Sequence, residues 1–273
     1  MNNAIQLKRG DFFSEYRNLE RGSFDLILSD PPYNRLQEAG QAWDVRIDWD
    51  RTEGILASLV KPNGWIILFT DFLLAVELKN TFCHELEFFD KHIWHKPGGT
   101  PSNKYHPIND TELIMMFRKK EAKVSDLTFN PRSVLPVGEP YTKRNSSPDM
   151  PTRRQQKSPV NSNETGERWV KTILSGPSKP NMKLDERSSH PTQKPLNILQ
   201  DLIRCYSNPG DLILDPFAGS ASTLIAAHNE NRKALGFEIE ETFYLEARER
   251  IRRRLAQGEL FQPSVSPNQE EML

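Results

Sequence analysis

Two short runs in this chain place an acidic residue, a proline and an aromatic ring directly after an apolar stretch: Asp30-Pro31-Pro32-Tyr33 and Asp215-Pro216-Phe217. Consecutive prolines restrict the backbone, so the Asp30 carboxylate and the Pro31 carbonyl point in set directions, and Tyr33 offers a flat ring. Two acceptors beside a stacking surface suit a planar ring that bears an NH2 group. The second run continues as Ala218-Gly219-Ser220, and small residues where a strand turns into a helix let the backbone approach a ligand closely. Further on, Lys233–Phe237 ends at Glu238, an acidic residue placed to accept hydrogen bonds from ribose hydroxyls. No G-x-G-x-x-G follows a strand, which argues against a dinucleotide and for a single nucleoside-like cofactor. A strand ending in an Asp-Pro turn, or a tight turn followed by a surface Glu, is the plainer explanation of each motif taken alone.

Both motifs need strands to position them. Short apolar runs at Ala4–Leu7, Phe24–Ser29, Gly64–Phe69, His92–His95, Glu112–Phe117, Asp211–Leu214 and Lys233–Phe237 alternate with helical patterns at Asp50–Val60, Leu196–Tyr206, Ser222–His228 and Glu241–Leu255. That alternation predicts an α/β fold with a seven-stranded, mostly parallel sheet and helices on both faces. In such sheets ligands bind beyond the carboxyl ends of the strands, where Asp30 and Asp215 fall. Lys61-Pro62-Asn63-Gly64 reads as a turn between the Asp50–Val60 helix and the next strand.

From Val124 to Ser189 the periodicity fades into Pro, Ser, Asn, Lys and Arg. From Arg118 to Arg187 basic residues outnumber acidic ones by about two to one, although the whole chain of 273 residues carries a net charge of -1. The segment reads either as a solvated insertion or as a small recognition module, with Trp169–Leu174 its only compact apolar stretch. Residues 257–273 are expected to be a disordered tail. The mean hydropathy of -0.66 leaves no run near the ~20 apolar residues that a membrane crossing requires. Cys83 and Cys205 stand far apart without a C-x-x-C, which fits a reducing, cytoplasmic setting. Cys83, His84, His92 and His95 cluster in sequence, but His92 and His95 are expected on opposite faces of a strand, so no metal is expected.

Taken in order, these motifs resemble those of the β group of DNA amino-methyltransferases, in which the catalytic motif precedes the cofactor motif. The resemblance spans Gln6 to Arg254: Gly10-Asp11, Asp30–Tyr33, Trp94-His95-Lys96, Glu112–Phe117, His190–Pro195, Asp215–Ser220 and Gly236–Glu238 follow the family's sequence. It implies a methyltransferase (Rossmann-like) fold: residues 1–120 as the catalytic half, 121–189 as an inserted target-recognition region, and 190–256 as the cofactor half. It implies S-adenosylmethionine as cofactor, double-stranded DNA as substrate, and transfer to N6 of adenine or N4 of cytosine. The Asp-Pro-Pro-Tyr form leans toward adenine. Asp30, Pro31, Pro32 and Tyr33 become catalytic. Asp215, Phe217, Ala218, Gly219 and Ser220 cradle the cofactor, Glu238 holds its ribose and Asp11 meets its adenine. Lys194 with Pro195 receives its methionine end, although Pro195 also suits a plain helix start.

Basic residues of the insertion, Arg144, Arg153, Arg154 and Lys157, would hold DNA. A homodimer, or a partner restriction nuclease, is also implied. One departure stands out, because Ala221 occupies a place where the family usually has Gly; a positive φ there would weaken cofactor binding. Carbon-5 methylation needs a cysteine after a proline, whereas Cys83 follows Phe82 and Cys205 follows Arg204. An RNA or protein amide substrate, and a non-catalytic binding subunit of the same fold, are the rival readings.

Overall fold

The computed structural model describes residues 4–34, 44–98, 104–105, 107–131, 141–143, 161–163, 169–184 and 186–260. Its strands are β1 (Ile5–Arg9), β2 (Phe24–Ser29), β3 (Val60–Thr70), β4 (Leu86–His95), β5 (Thr111–Lys119), β6 (Tyr141–Lys143), β7 (Asn161–Asn163), β8 (Ile173–Ser175), β9 (Leu212–Asp215) and β10 (Lys233–Glu238). The helices are α1 (Phe12–Glu15), α2 (Trp49–Leu59), α3 (Phe72–Thr81), α4 (Leu196–Tyr206), α5 (Ser222–Asn229) and α6 (Glu241–Leu260). An eight-stranded sheet has the order β1-β10-β9-β2-β3-β5-β4-β8, while β6 and β7 pair separately. Within the main sheet only β5 runs against the others.

Alternation along β2 and β3 divides the core. Leu26, Leu28, Trp65 and Ile67 face α4, α5 and α6, through Ile198, Leu202, Leu224 and Ala247. Ile27, Ile66 and Leu68 face the other way, onto Phe12, Leu56 and Leu78 of α1, α2 and α3. Helices α1, α2 and α3 each start on an aspartate, Asp11, Asp48 or Asp71, whose side chain accepts an amide hydrogen from the first turn. The residues that precede α4 and α5, Pro195 and Ala221, supply no side-chain cap.

The structure corrects three expectations. The sheet has eight strands rather than seven, because Ile173–Ser175 of the insertion pairs in parallel with β4 and buries Leu174; a three-residue strand is too short for an alternating pattern to reveal. Lys61–Gly64 is not a turn but an irregularity inside β3, where the register on β2 jumps between Phe24↔Val60 and Leu26↔Trp65. Gly64 is required there, since a Cβ would sit 2.6 Å from the Asp25 carbonyl oxygen. Helix α6 continues to Leu260, because Ala256, Gln257 and Glu259 are good helix formers.

The described parts of the insertion lean on the main domain. Trp65 donates to the Thr128 carbonyl at 2.6 Å, and the Asn130 side chain donates to the carbonyls of Arg204, in the last turn of α4, and Ser207, just after it. No helix among the described residues is long and apolar enough to cross a membrane.

Candidate active site

The carboxyl ends of β2, β9 and β10 meet at one rim of the sheet, and there a cavity of about 430 Å³ opens. Its lining includes every residue predicted for catalysis and for the cofactor except Pro195: Asp11, Asp30, Pro31, Pro32, Tyr33, Lys194, Asp215, Phe217, Ala218, Gly219, Ser220 and Glu238. Parallel pairing of β2 with β9 brings Asp30 and Asp215 to the same rim. The Ser29 hydroxyl donates to Asp215 Oδ1 at 2.5 Å, tying the two strand ends together. Burial pushes the Asp215 carboxyl up to about 6, against the hydrogen bonds from Ser29 and Thr223.

Asp30 is held from both sides. The Tyr33 hydroxyl donates to Oδ1 at 2.6 Å, and the Lys194 ammonium donates to Oδ2 at 2.6 Å. Burial raises the Asp30 carboxyl above its ordinary value, while Lys194 opposes that rise. The Tyr33 phenol is pushed well up by burial and by Asp30, so it remains a donor. Lys194 also lies 3.3 Å from Glu112 Oε2, and Lys96 donates to Glu112 Oε1 at 3.1 Å. Aromatic rings surround the Lys194 ammonium, with centroids 5.7 Å away for Tyr33, 5.3 Å for Phe69 and 5.9 Å for Trp94.

The other half of the cavity is built on the turn after β9. Gly219 has φ 49, and its amide donates to Glu238 Oε2 at 2.8 Å. The second Glu238 oxygen accepts from the Glu240 amide, so the carboxylate is fixed at the end of β10 with lone pairs left for a ligand. His190 packs against Gly219, 3.0 Å from where a Cβ would stand, and edge-on to Phe243 at 4.4 Å. Burial holds the His190 imidazole down to about 4, with Lys194 and Lys179 adding to the effect, so it is neutral at pH 7. Arg250 of α6 donates to the Ser220 carbonyl and the Ser222 hydroxyl, both at 2.8 Å, bracing the turn from behind.

Asp11 lies across the cavity as the cap of α1, accepting from the Phe13 amide at 3.0 Å and the Ser14 hydroxyl at 2.9 Å. Ala221 has φ 58 and is fully buried, so the left-handed conformation that makes Gly usual there is present. Lys194 lines the shared cavity but spends its charge on Asp30 and Glu112. The Leu196 amide, at the start of α4, is taken by Glu186 at 2.8 Å. His92 bonds Tyr206 at 2.6 Å whereas His95 lies beside Asp110 at 3.6 Å, so the two histidines have separate partners. Arg144, Arg153, Arg154 and Lys157 lie outside the described residues.

Sequence reasoning assigned no role to Glu112, Lys96, His190 or Arg250. The signal present was a charged residue at one end of an apolar strand, as at Glu112, or just beyond one, as at Lys96.

The cavity fits a nucleoside-bearing ligand. Gly219 leaves space that a Cβ would fill, Glu238 presents a fixed acceptor, and the volume lies in the usual range for small-molecule sites. Known proteins resemble this chain over most of its length. The chain is 30% identical over 259 residues to DNA adenine methyltransferase YhdJ of Escherichia coli (strain K12), covering 89% of this chain and 81% of that one. The fold matches the M1.HpyAVI–SAM complex with a TM-score of 0.62 and 25% identity, over 90% of this chain and 98% of the other. It also matches PvuII DNA methyltransferase (cytosine-N4-specific) with a TM-score of 0.64 and 16% identity, over 96% and 90% of the two chains. The DNA methylase profile of N6 and N4 methyltransferases covers residues 24–249, and the chain belongs to that family.

Proposed function

We propose that this chain methylates the N6 amine of adenine within a short motif of duplex DNA, using S-adenosylmethionine. The observation that carries the reading is Asp30, fixed between Tyr33 and Lys194 at the mouth of a cavity whose far wall holds Glu238 and Gly219. Glu238 would hold the cofactor's ribose, the Asp215–Ser220 turn would pass along it, and Asp11 would meet its adenine. When bound, the cofactor supplies a methyl group already activated by a sulfonium.

An exocyclic base amine is a poor nucleophile, because its lone pair is delocalised into the ring. An amine that donates to the Asp30 carboxylate and the Pro31 carbonyl is drawn toward a pyramidal geometry that frees that lone pair. Alignment supplies the rest of the rate. The target base must leave the duplex to reach Asp30, and the Tyr33 ring, pinned through its hydroxyl, is the surface for it to stack on. The methylated amine then loses one proton, to Asp30 or to a water.

Adenine is favoured by the Asp-Pro-Pro-Tyr motif and by the identity to an adenine methyltransferase. N4 of cytosine is the second reading, since its amine has the same hydrogen-bonding character. DNA contacts are assigned to the basic insertion, through Arg144, Arg153, Arg154 and Lys157, and the homodimer or partner nuclease belongs to the same reading. The test is mass spectrometry of nucleosides from unmethylated genomic DNA incubated with the protein and S-adenosylmethionine. N6-methyladenine is expected; N4-methylcytosine alone would replace the reading with its alternative.

A further inference from the structure

Lys194 lies in the segment that the resemblance gives to the cofactor's methionine end, and its ammonium meets two carboxylates. It faces Asp30 at 2.6 Å and Glu112 at 3.3 Å, and its side chain is only 7% exposed. Phe69, Trp94 and Tyr33 wall it in, and in so little water a charge pair interacts far more strongly than at a surface. Glu112 reaches this place because β5 is antiparallel. Its first residues, paired with the last of β4 across Trp94↔Glu112, lie at the same rim as the ends of the parallel strands. Glu112 Oε2 is buried and makes no well-directed hydrogen bond, so its negative charge is held toward Lys194 by position.

We infer that Lys194 is a positioning residue for the Asp30 carboxylate, and that Glu112, held by Lys96, shares the Lys194 charge with Asp30. The inference rests on the proposed function for its catalytic meaning: an amine must donate to Asp30, and a protonated Asp30 would instead offer a donor to the lone pair that has to attack. Without a cation beside it, burial would drive Asp30 to its neutral form.

The charged and titratable groups around Lys194 act in known directions. Burial works against its charge, but Asp30 and Glu112 outweigh it, and Lys194 lies above its ordinary value. Glu112 is lowered by Lys194 and Lys96 against its own burial. Tyr33 stays a donor, Asp71 reaches the site through Tyr33, and His190 is kept neutral. Two variants therefore move Asp30 oppositely. Lys194→Met removes the charge that lowers Asp30, and Glu112→Gln removes one that raises it.

The experiment is a 13C NMR titration of aspartate carboxyls, with Asp30 assigned by Asp30→Asn, in wild type, Lys194→Met and Glu112→Gln. S-adenosylmethionine affinity is measured by calorimetry on the same samples. Lys194→Met is expected to raise the Asp30 titration by about one pH unit or more, and Glu112→Gln to lower it, with cofactor affinity unchanged within about threefold. The acid limb of kcat for DNA methylation should follow the same two directions. An Asp30 titration that stays put in both variants, or cofactor affinity weakened about tenfold or more in Lys194→Met with Asp30 unmoved, overturns the inference. Should Lys194→Met not fold, the downward shift in Glu112→Gln decides. If Asp30 shifts as expected but the wild type methylates no DNA, the proposed function fails and the positioning of Asp30 stands.

Discussion

Replacing Gly219 by alanine tests the cofactor half of the cavity. The residue sits at φ 49, and a left-handed conformation costs a non-glycine residue roughly 1–2 kcal/mol. The added Cβ would also meet His190 at 3.0 Å, and His190 is backed by Phe243, so it has little room to retreat. If the turn keeps its shape, folding bears the strain, and at roughly 2–4 °C per kcal/mol the melting temperature falls by about 2–8 °C. If the turn relaxes instead, the Gly219–Glu238 bond is lost until a ligand restores it, and the same strain weakens S-adenosylmethionine about 5–30-fold. Differential scanning calorimetry and isothermal titration on one sample distinguish the two outcomes. A Gly219→Ala protein that melts and binds as the wild type does would refute the left-handed turn, the packing of His190, or both.

Ala221 already sits at φ 58, but its methyl is buried. Ala221→Gly relieves roughly 1–2 kcal/mol of strain, loses about 0.8 kcal/mol of methyl burial and adds about 0.5–1 kcal/mol of unfolded-chain entropy. A change in melting temperature within about 4 °C is expected, and a larger one would contradict that balance. Neutral His190 gives a pH signature. Its value is depressed from 6.5 to about 4, so the unfolded chain takes up a proton first, and stability is lost as pH falls through that window, by at most about 3 kcal/mol. Asp215, raised from 3.8 to about 6, works the other way, its contribution being lost as pH rises through 6. His190→Gln should therefore lose less stability than wild type between pH 7 and pH 5, and an equal loss would count against a buried neutral imidazole. Glu53, 1% exposed, accepts the amides of His84, Glu85 and Leu86 on one oxygen. Glu53→Ala should cost about 3 kcal/mol or more in denaturant titration, and a cost under about 1 kcal/mol would show those amides find other partners.

The two motifs that line the cavity were legible because each ends an apolar strand with residues that have few other uses there. Asp30-Pro31-Pro32-Tyr33 and Asp215–Ser220 needed only a parallel sheet to meet, and the pairing of β2 with β9 provides it. What the sequence did not show was strand direction. An antiparallel β5 looks the same as a parallel one in an apolar run, so Glu112 read as a strand start rather than as a residue of the rim. Lys194 was placed by its neighbours in sequence, yet its reach across the cavity to Asp30 depends on a side-chain direction no spacing reveals. The conditional reading of Ala221 met its condition, and the buried methyl is the reason such a residue is tolerated.

The most direct test of the account is single-turnover methylation of DNA by Asp30→Ala, with cofactor affinity measured alongside. The account predicts a rate lowered by roughly 10²–10⁴ while S-adenosylmethionine binds within about threefold of wild type. A folded Asp30→Ala protein that methylates within about tenfold of the wild-type rate would contradict the claim that the base amine is activated at Asp30.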